Sequence, residues 1–131
     1  MVLSHDGVRP FATRGLFLRV LKELETYKAA ITATKSKDTI KVVNERGEVD
    51  FTPNRDYVYN IQTPQAFDTK LIKDLYEKYF ESEAKITDDS QLFEFFDRHE
   101  PVKVVEGEYS NIKITTAEDI IFARAYIRGN K

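Results

Sequence analysis

The sequence has 131 residues, of which 41% are hydrophobic and 32% charged, and carries a formal net charge of −2. A chain of this length forms one domain and buries roughly two-thirds of its unfolded surface, and its Phe, Tyr, Ile and Val content excludes disorder. The near-neutral balance gives no broad positive field for nucleic acid or an anionic membrane, and the lack of Cys excludes disulfides, thiolate nucleophiles and Cys-based zinc sites.

No apolar run reaches spanning length and Met1 to Arg9 has no signal-peptide core, so a cytoplasmic location is expected. Val2 and Leu3 read as the end of a buried strand running straight into His5-Asp6-Gly7-Val8-Arg9-Pro10, an abrupt start for a domain. Leu16, Phe17, Val20, Leu21 and Leu24 follow helical spacing, and Ala29 to Thr34 has the β-branched character of a strand. From Asp38 to Arg55 the pattern predicts a β-hairpin arm. Its strands are Ile40 to Val43 and Glu48 to Phe51, joined by the turn Asn44-Glu45-Arg46-Gly47. Tyr57 to Gln62 is a return strand expected to stop at Thr63-Pro64, because Pro cannot donate to a central ladder.

Asp68 or Thr69 caps a helix striped by Leu71, Ile72, Leu75, Tyr76, Tyr79 and Phe80, and Thr87 is placed as the cap of another carrying Leu92, Phe93 and Phe96. Val102 to Val105 is a strand, Gly107 a break and Ile112 to Ile114 a further short strand. Thr116-Ala117-Glu118-Asp119 forms a capping box before the last helix. Helices alternating with strands predict an α/β layered fold with a mainly parallel sheet and a protruding hairpin.

In open α/β sheets, ligands sit beyond the carboxyl ends of strands, which marks the cluster His5 to Pro10. There Asp6 can hold Mg²⁺ through one carboxylate while phosphate oxygens complete the shell, and Arg9 can grip phosphate bidentately. The same two residues can instead pair with each other across a turn. His5 reads as a packed or turn-bonding residue, since no second His lies at metal-ligand spacing. Asp38-Thr39-Ile40-Lys41, Arg55, Thr63-Pro64-Gln65, Thr87-Asp88-Asp89 and Asn111-Ile112-Lys113-Ile114-Thr115 also follow strands. Each has an ordinary reading as well: Thr39 as a turn hydroxyl, Thr87 as an N-cap, Lys113 as a solvated charge. Residue physics alone reaches an α/β domain with an anion site.

Taken in this order, the segments from Ser4 to Ala125 resemble the 2-C-methyl-D-erythritol 4-phosphate cytidylyltransferase family over nearly the whole chain. The resemblance implies the C-terminal half of a Rossmann-like nucleotidyltransferase domain. It implies transfer from CTP to methylerythritol phosphate in isoprenoid precursor synthesis, with Mg²⁺ as cofactor and Asp6 matching the position associated with Mg²⁺ and CTP. Arg9, Thr39, Thr63 and Thr87 match sugar-phosphate contacts, and Arg55 and Lys113 match the catalytic basic pair that positions the phosphate. The arm, 38–55, is implied to reach across a homodimer, so that Arg55 serves the partner's site. No segment matches the family's Gly-rich nucleotide loop, and the expectation is that the isolated chain is inactive. The competing readings are a ribitol 5-phosphate cytidylyltransferase, which shares these motifs, and a non-catalytic dimerisation or sugar-phosphate-binding module.

Overall fold

The computed structural model describes residues 1–130; Lys131, the last residue of the expected domain, lies outside them. Six strands and four helices run in the order β1 (Val2–Ser4), α1 (Arg14–Glu23), β2 (Ala29–Lys35), β3 (Val42–Val43), β4 (Val49–Phe51), β5 (Tyr59–Phe67), α2 (Thr69–Phe80), α3 (Gln91–Phe96), β6 (Val102–Glu106) and α4 (Ala117–Gly129). None of these helices is long and apolar enough to cross a membrane.

The main sheet has the order β1-β5-β2-β6, and it is not mainly parallel. β5 runs antiparallel to both β1 and β2, and only β2 and β6 are parallel. The reason lies in the connection. A parallel neighbour needs a crossover over the sheet face, whereas the segment between β2 and β5 goes out as the arm and comes back on the same side, which returns β5 antiparallel. From β5 the chain passes through α2 and α3 to the far edge of β2, where β6 pairs parallel to it.

Side chains alternate across the sheet, and both faces are covered. Ala30, Ala66 and Val105 face Val20 of α1. Ala29, Ile31 and Phe67 face Ile72 and Leu75 of α2 and Leu92 and Phe93 of α3, with the Phe67 and Phe93 rings stacked 5.9 Å apart. Caps set the helix starts: Thr13 accepts from Leu16 N, and Asp68 from Leu71 N. The capping box at Thr116 and Asp119 opens α4 as expected. Ala123 is the buried residue of that helix; Ile120, Ile121, Phe122 and Ile127 are exposed, and Tyr126 rests on Phe11.

Three local readings of the sequence change. β5 does not stop at Thr63-Pro64 but continues to Phe67. Thr32 faces Gln62 while Ile31 faces Gln65, so Thr63 and Pro64 form a bulge, the setting in which a strand tolerates Pro. Thr87 does not cap α3; its amide and hydroxyl both donate to Gln91 Oε1, and the Gln91 amide is met by Asp88 Oδ1. Ile112 to Ile114 is not a strand. It follows a turn at Ser110–Ile112 and meets the chain at one bond, Ile114 N to Val8 O at 2.9 Å.

The arm forms as predicted but with shorter strands, because a two-stranded ribbon with no third strand or helix on it holds little regular pairing. Its turn closes through Asn44 N to Glu48 O at 2.9 Å, with Gly47 at φ 77°, where a side chain is disfavoured. Val43, Val49 and Phe51 on the arm are exposed.

Gly107 marks a close approach rather than a turn. Its amide donates to Ala33 O, and a Cβ there would lie 2.6 Å from Gln62 Oε1 and 2.8 Å from Thr32 Cγ2. Gly107→Ala should lower stability by about 1–3 kcal/mol, read as a lower urea midpoint with an unchanged m-value.

Candidate functional site

The turn after β1 is built around one hydroxyl. Thr63 Oγ1, presented by the β5 bulge, accepts from Asp6 N at 2.9 Å and lies 2.9 Å from His5 Nδ1. Arg9 N closes the turn onto Asp6 O at 3.0 Å. His5 is thereby a turn-bonding residue, its ring set edge-on to Phe17 at 5.1 Å.

The Asp6 carboxylate lies between two cations. Arg9 Nε donates to Oδ2 at 3.1 Å, and Lys113 Nζ lies 3.3 Å from the same oxygen. The side chain of Arg9 is only 10% exposed against 48% for Lys113, so Arg9 is a fixed part of the wall and Lys113 is free to extend. Burial alone raises the Asp6 pKa, but hydrogen bonds and charge from Arg9 and Lys113 outweigh it and hold the carboxyl below its ordinary value. The cluster is thus an ionised carboxylate with two cations, a net positive charge beside the Thr63 hydroxyl.

Asp6, Arg9, Thr63 and Lys113 line a cleft of about 580 Å³ together with Gln65, Thr87, Asp88, Asp89 and Glu94. Asp88 accepts from Gln65 Nε2 at 3.0 Å and Ser90 Oγ at 2.7 Å. Tyr76 OH hydrogen-bonds to Asp89, and burial with that carboxylate beside it pushes the phenol pKa up. The cleft therefore carries two cations and several acceptors, which suits a molecule bearing an anion and hydroxyls.

Of the residues singled out in the sequence, Asp6, Arg9, Thr63, Thr87 and Lys113 meet in this cleft. Thr39 and Arg55 do not; Thr39 is exposed at the start of the arm, and Arg55, at its end, donates to Lys37 O at 3.2 Å. Gln62 was read only as the end of a strand and Gln65 only as part of the cluster Thr63-Pro64-Gln65; both are buried amides within β5. For a divalent cation the donor set is sparse: among the described residues no three His, Cys, Asp or Glu side chains converge. Both ion pairs of Asp6 use Oδ2, so Oδ1 is the oxygen open to a cation. A single carboxylate fits Mg²⁺ where substrate phosphates and water supply the other ligands.

The family model for 2-C-methyl-D-erythritol 4-phosphate cytidylyltransferase matches residues 1–129. The chain belongs to this cytidylyltransferase family. A relative of that name from Lachnoclostridium phytofermentans is 45% identical over 128 residues, covering 97% of this chain and 54% of its own length. Another, from Desulforamulus reducens, is 41% identical over 98% of this chain. Among solved structures, the 4-diphosphocytidyl-2C-methyl-D-erythritol synthase of Anaerococcus prevotii superposes with a TM-score of 0.92 at 71% identity, over 96% of this chain and 57% of that one. The Thermus thermophilus cytidylyltransferase gives 0.82 at 33% identity, over 96% of this chain and 61% of that one. The chain thus spans about half the length of the curated cytidylyltransferases it matches.

The lowered Asp6 pKa fixes the sign of a pH effect. Asp6 binds its proton less readily folded than unfolded, so its stabilising contribution is complete above the ordinary carboxyl value of 3.8 and is lost as pH falls through the lower folded pKa. The stability difference between the wild type and Asp6→Asn should be constant near neutral pH and shrink as the pH falls below that value, measured by urea unfolding.

Proposed function

We propose that this chain forms the polyol-phosphate side of a cytidylyltransferase site and binds 2-C-methyl-D-erythritol 4-phosphate. The observation that carries the reading is the Asp6 carboxylate held at 3.1 Å by Arg9 and 3.3 Å by Lys113 beside the Thr63 bulge. Arg9, Lys113, Thr63 and Thr87 would receive the substrate, the cations taking its phosphate by charge-assisted hydrogen bonds. Thr39, at the start of the arm, would reach the substrate only from that side.

In the reaction, an oxygen of the 4-phosphate attacks the α-phosphorus of CTP in line, and pyrophosphate leaves. Such a transfer depends on positioning and charge neutralisation more than on covalent catalysis. Arg9, fixed in the wall, orients the phosphate; Lys113, on a longer tether, follows its charge as the nucleophile aligns. Mg²⁺, when bound, would be held by Asp6 and would neutralise triphosphate charge. CTP itself would be held by the portion of the relatives that this chain does not span, so the chain alone should release no pyrophosphate. The methylerythritol reading is preferred to ribitol phosphate because the family match carries that description.

Calorimetric titration tests this. The chain should bind methylerythritol phosphate and show no heat with CTP, and Lys113→Ala should weaken the sugar phosphate by about tenfold or more, the value of a charged hydrogen bond. Equal affinity in the variant would overturn the assignment.

Arg55 would act in trans, in a homodimer held partly by the arm. Support comes from Val43, Val49 and Phe51, apolar yet exposed on an arm that leaves the main sheet. Removing 42–49 should convert a dimer to a monomer in sedimentation. A dimer mass that survives the deletion would sink the idea.

A further inference from the structure

Lys113 and Arg9 come from segments with no regular secondary structure, and something must hold them at the same carboxylate. Asn111 is the residue common to both. It is completely buried, at 0% exposure, in a stretch where the neighbouring Tyr109 is exposed. Its Nδ2 donates to Gln62 Oε1 at 3.2 Å and to Thr63 O at 2.9 Å. Its backbone carbonyl accepts from Arg9 Nη1 at 2.7 Å, and its amide donates to Glu108 O at 2.9 Å. One side chain therefore ties the loop bearing Lys113 to the bulge bearing Thr63, and the backbone of the same residue grips the Arg9 guanidinium.

The orientation of the amide is dictated by its partners. Gln62 Nε2 donates to Glu108 O at 3.0 Å, which leaves Gln62 Oε1 as an acceptor. Turning Asn111 over would set its own oxygen against two acceptors, Gln62 Oε1 and Thr63 O. Gly107 completes the device, since a side chain there would strike Gln62 Oε1. Arg9 is held at Nε by Asp6 and at Nη1 by Asn111. The plane of its guanidinium is thereby fixed, and Nη2 is left for a ligand oxygen. Asn111 Oδ1 is buried without a hydrogen-bond partner, a cost on the order of 1–3 kcal/mol, so the side chain is not explained by its own satisfaction.

We propose that Asn111 is the positioning residue that sets Arg9 and Lys113 around Asp6 and Thr63, and thereby sets the cleft's affinity for a phosphate monoester. It touches no substrate; it acts through the two cations. The proposal rests on the function proposed above for its phosphate, but not for its geometry.

The test is made on the 131-residue chain with inorganic phosphate as the probe. Nitrogen–proton correlation spectra should show one Arg Nε–H signal protected from exchange, assigned to Arg9 by its loss in Arg9→Lys. In Asn111→Ala that protection should disappear, and the phosphate dissociation constant, measured well below the melting temperature, should rise about tenfold or more. A merely structural Asn111 would lower the melting temperature while moving neither the signal nor the affinity, and that result overturns the proposal. If Asn111→Ala does not fold, Gln62→Ala, which removes one of the two acceptors of Asn111 Nδ2 and leaves Thr63 O, should show both changes in smaller measure; no change in either the signal or the affinity overturns the proposal. A wild type that binds no phosphate, yet loses Arg9 protection in the variant, overturns the phosphate role and leaves the positioning geometry standing, so the two readings fail separately.

Discussion

Two extra residues in one strand organise the cleft. β5 pairs with β2 on both flanks of the insertion of Thr63 and Pro64 between Gln62 and Gln65, and with β1 from Gln65 to Phe67, so its register is fixed around the bulge. Thr32 Oγ1 secures the displaced backbone by donating to Pro64 O at 2.7 Å inside the sheet. The bulge then offers Thr63 Oγ1 to the turn after β1 and Thr63 O to Asn111. The carboxylate, the buried Arg and the Lys-bearing loop all take their places from those two atoms.

The arrangement also shows why the cluster is both stable and usable. An Arg with a 10% exposed side chain is costly unless paired, and here one carboxylate and one carbonyl satisfy it. Lys113, about half exposed, adds a second positive charge that the lone carboxylate does not neutralise. Asp88, Asp89 and Glu94 line the same cleft and offset that charge, Asp88 being anchored by Gln65 Nε2.

Much of this was legible in the sequence wherever the signal was local. Apolar spacing gave α1 and α2, the Asn44 to Gly47 turn gave the arm, and Thr116 with Asp119 gave the α4 cap. Polar residues just after buried strands pointed to Asp6, Arg9, Thr63 and Lys113, which do converge. What was not legible depended on distant pairing. The antiparallel course of β5 follows from how the arm returns, and neither strand's own pattern records that. Pro64 read as a stop because its neighbours on both sides, which make room for a bulge, are remote in sequence. Thr87 read as a cap because the sequence shows a hydroxyl before an apolar stripe but not the Gln91 side chain turning back to meet it. Asn111 and the two buried Gln residues look like surface amides until the fold encloses them.

The last helix has a consequence of a different kind. α4 is well capped and so keeps its shape, yet Ile120, Ile121, Phe122 and Ile127 remain open to water along it. Its capping fixes those side chains in place rather than letting them collapse, so the hydration cost of that surface persists for as long as the chain is folded. Colloidal behaviour then separates from folding: salts that strengthen apolar association would drive clustering of intact molecules at temperatures where thermal unfolding is negligible.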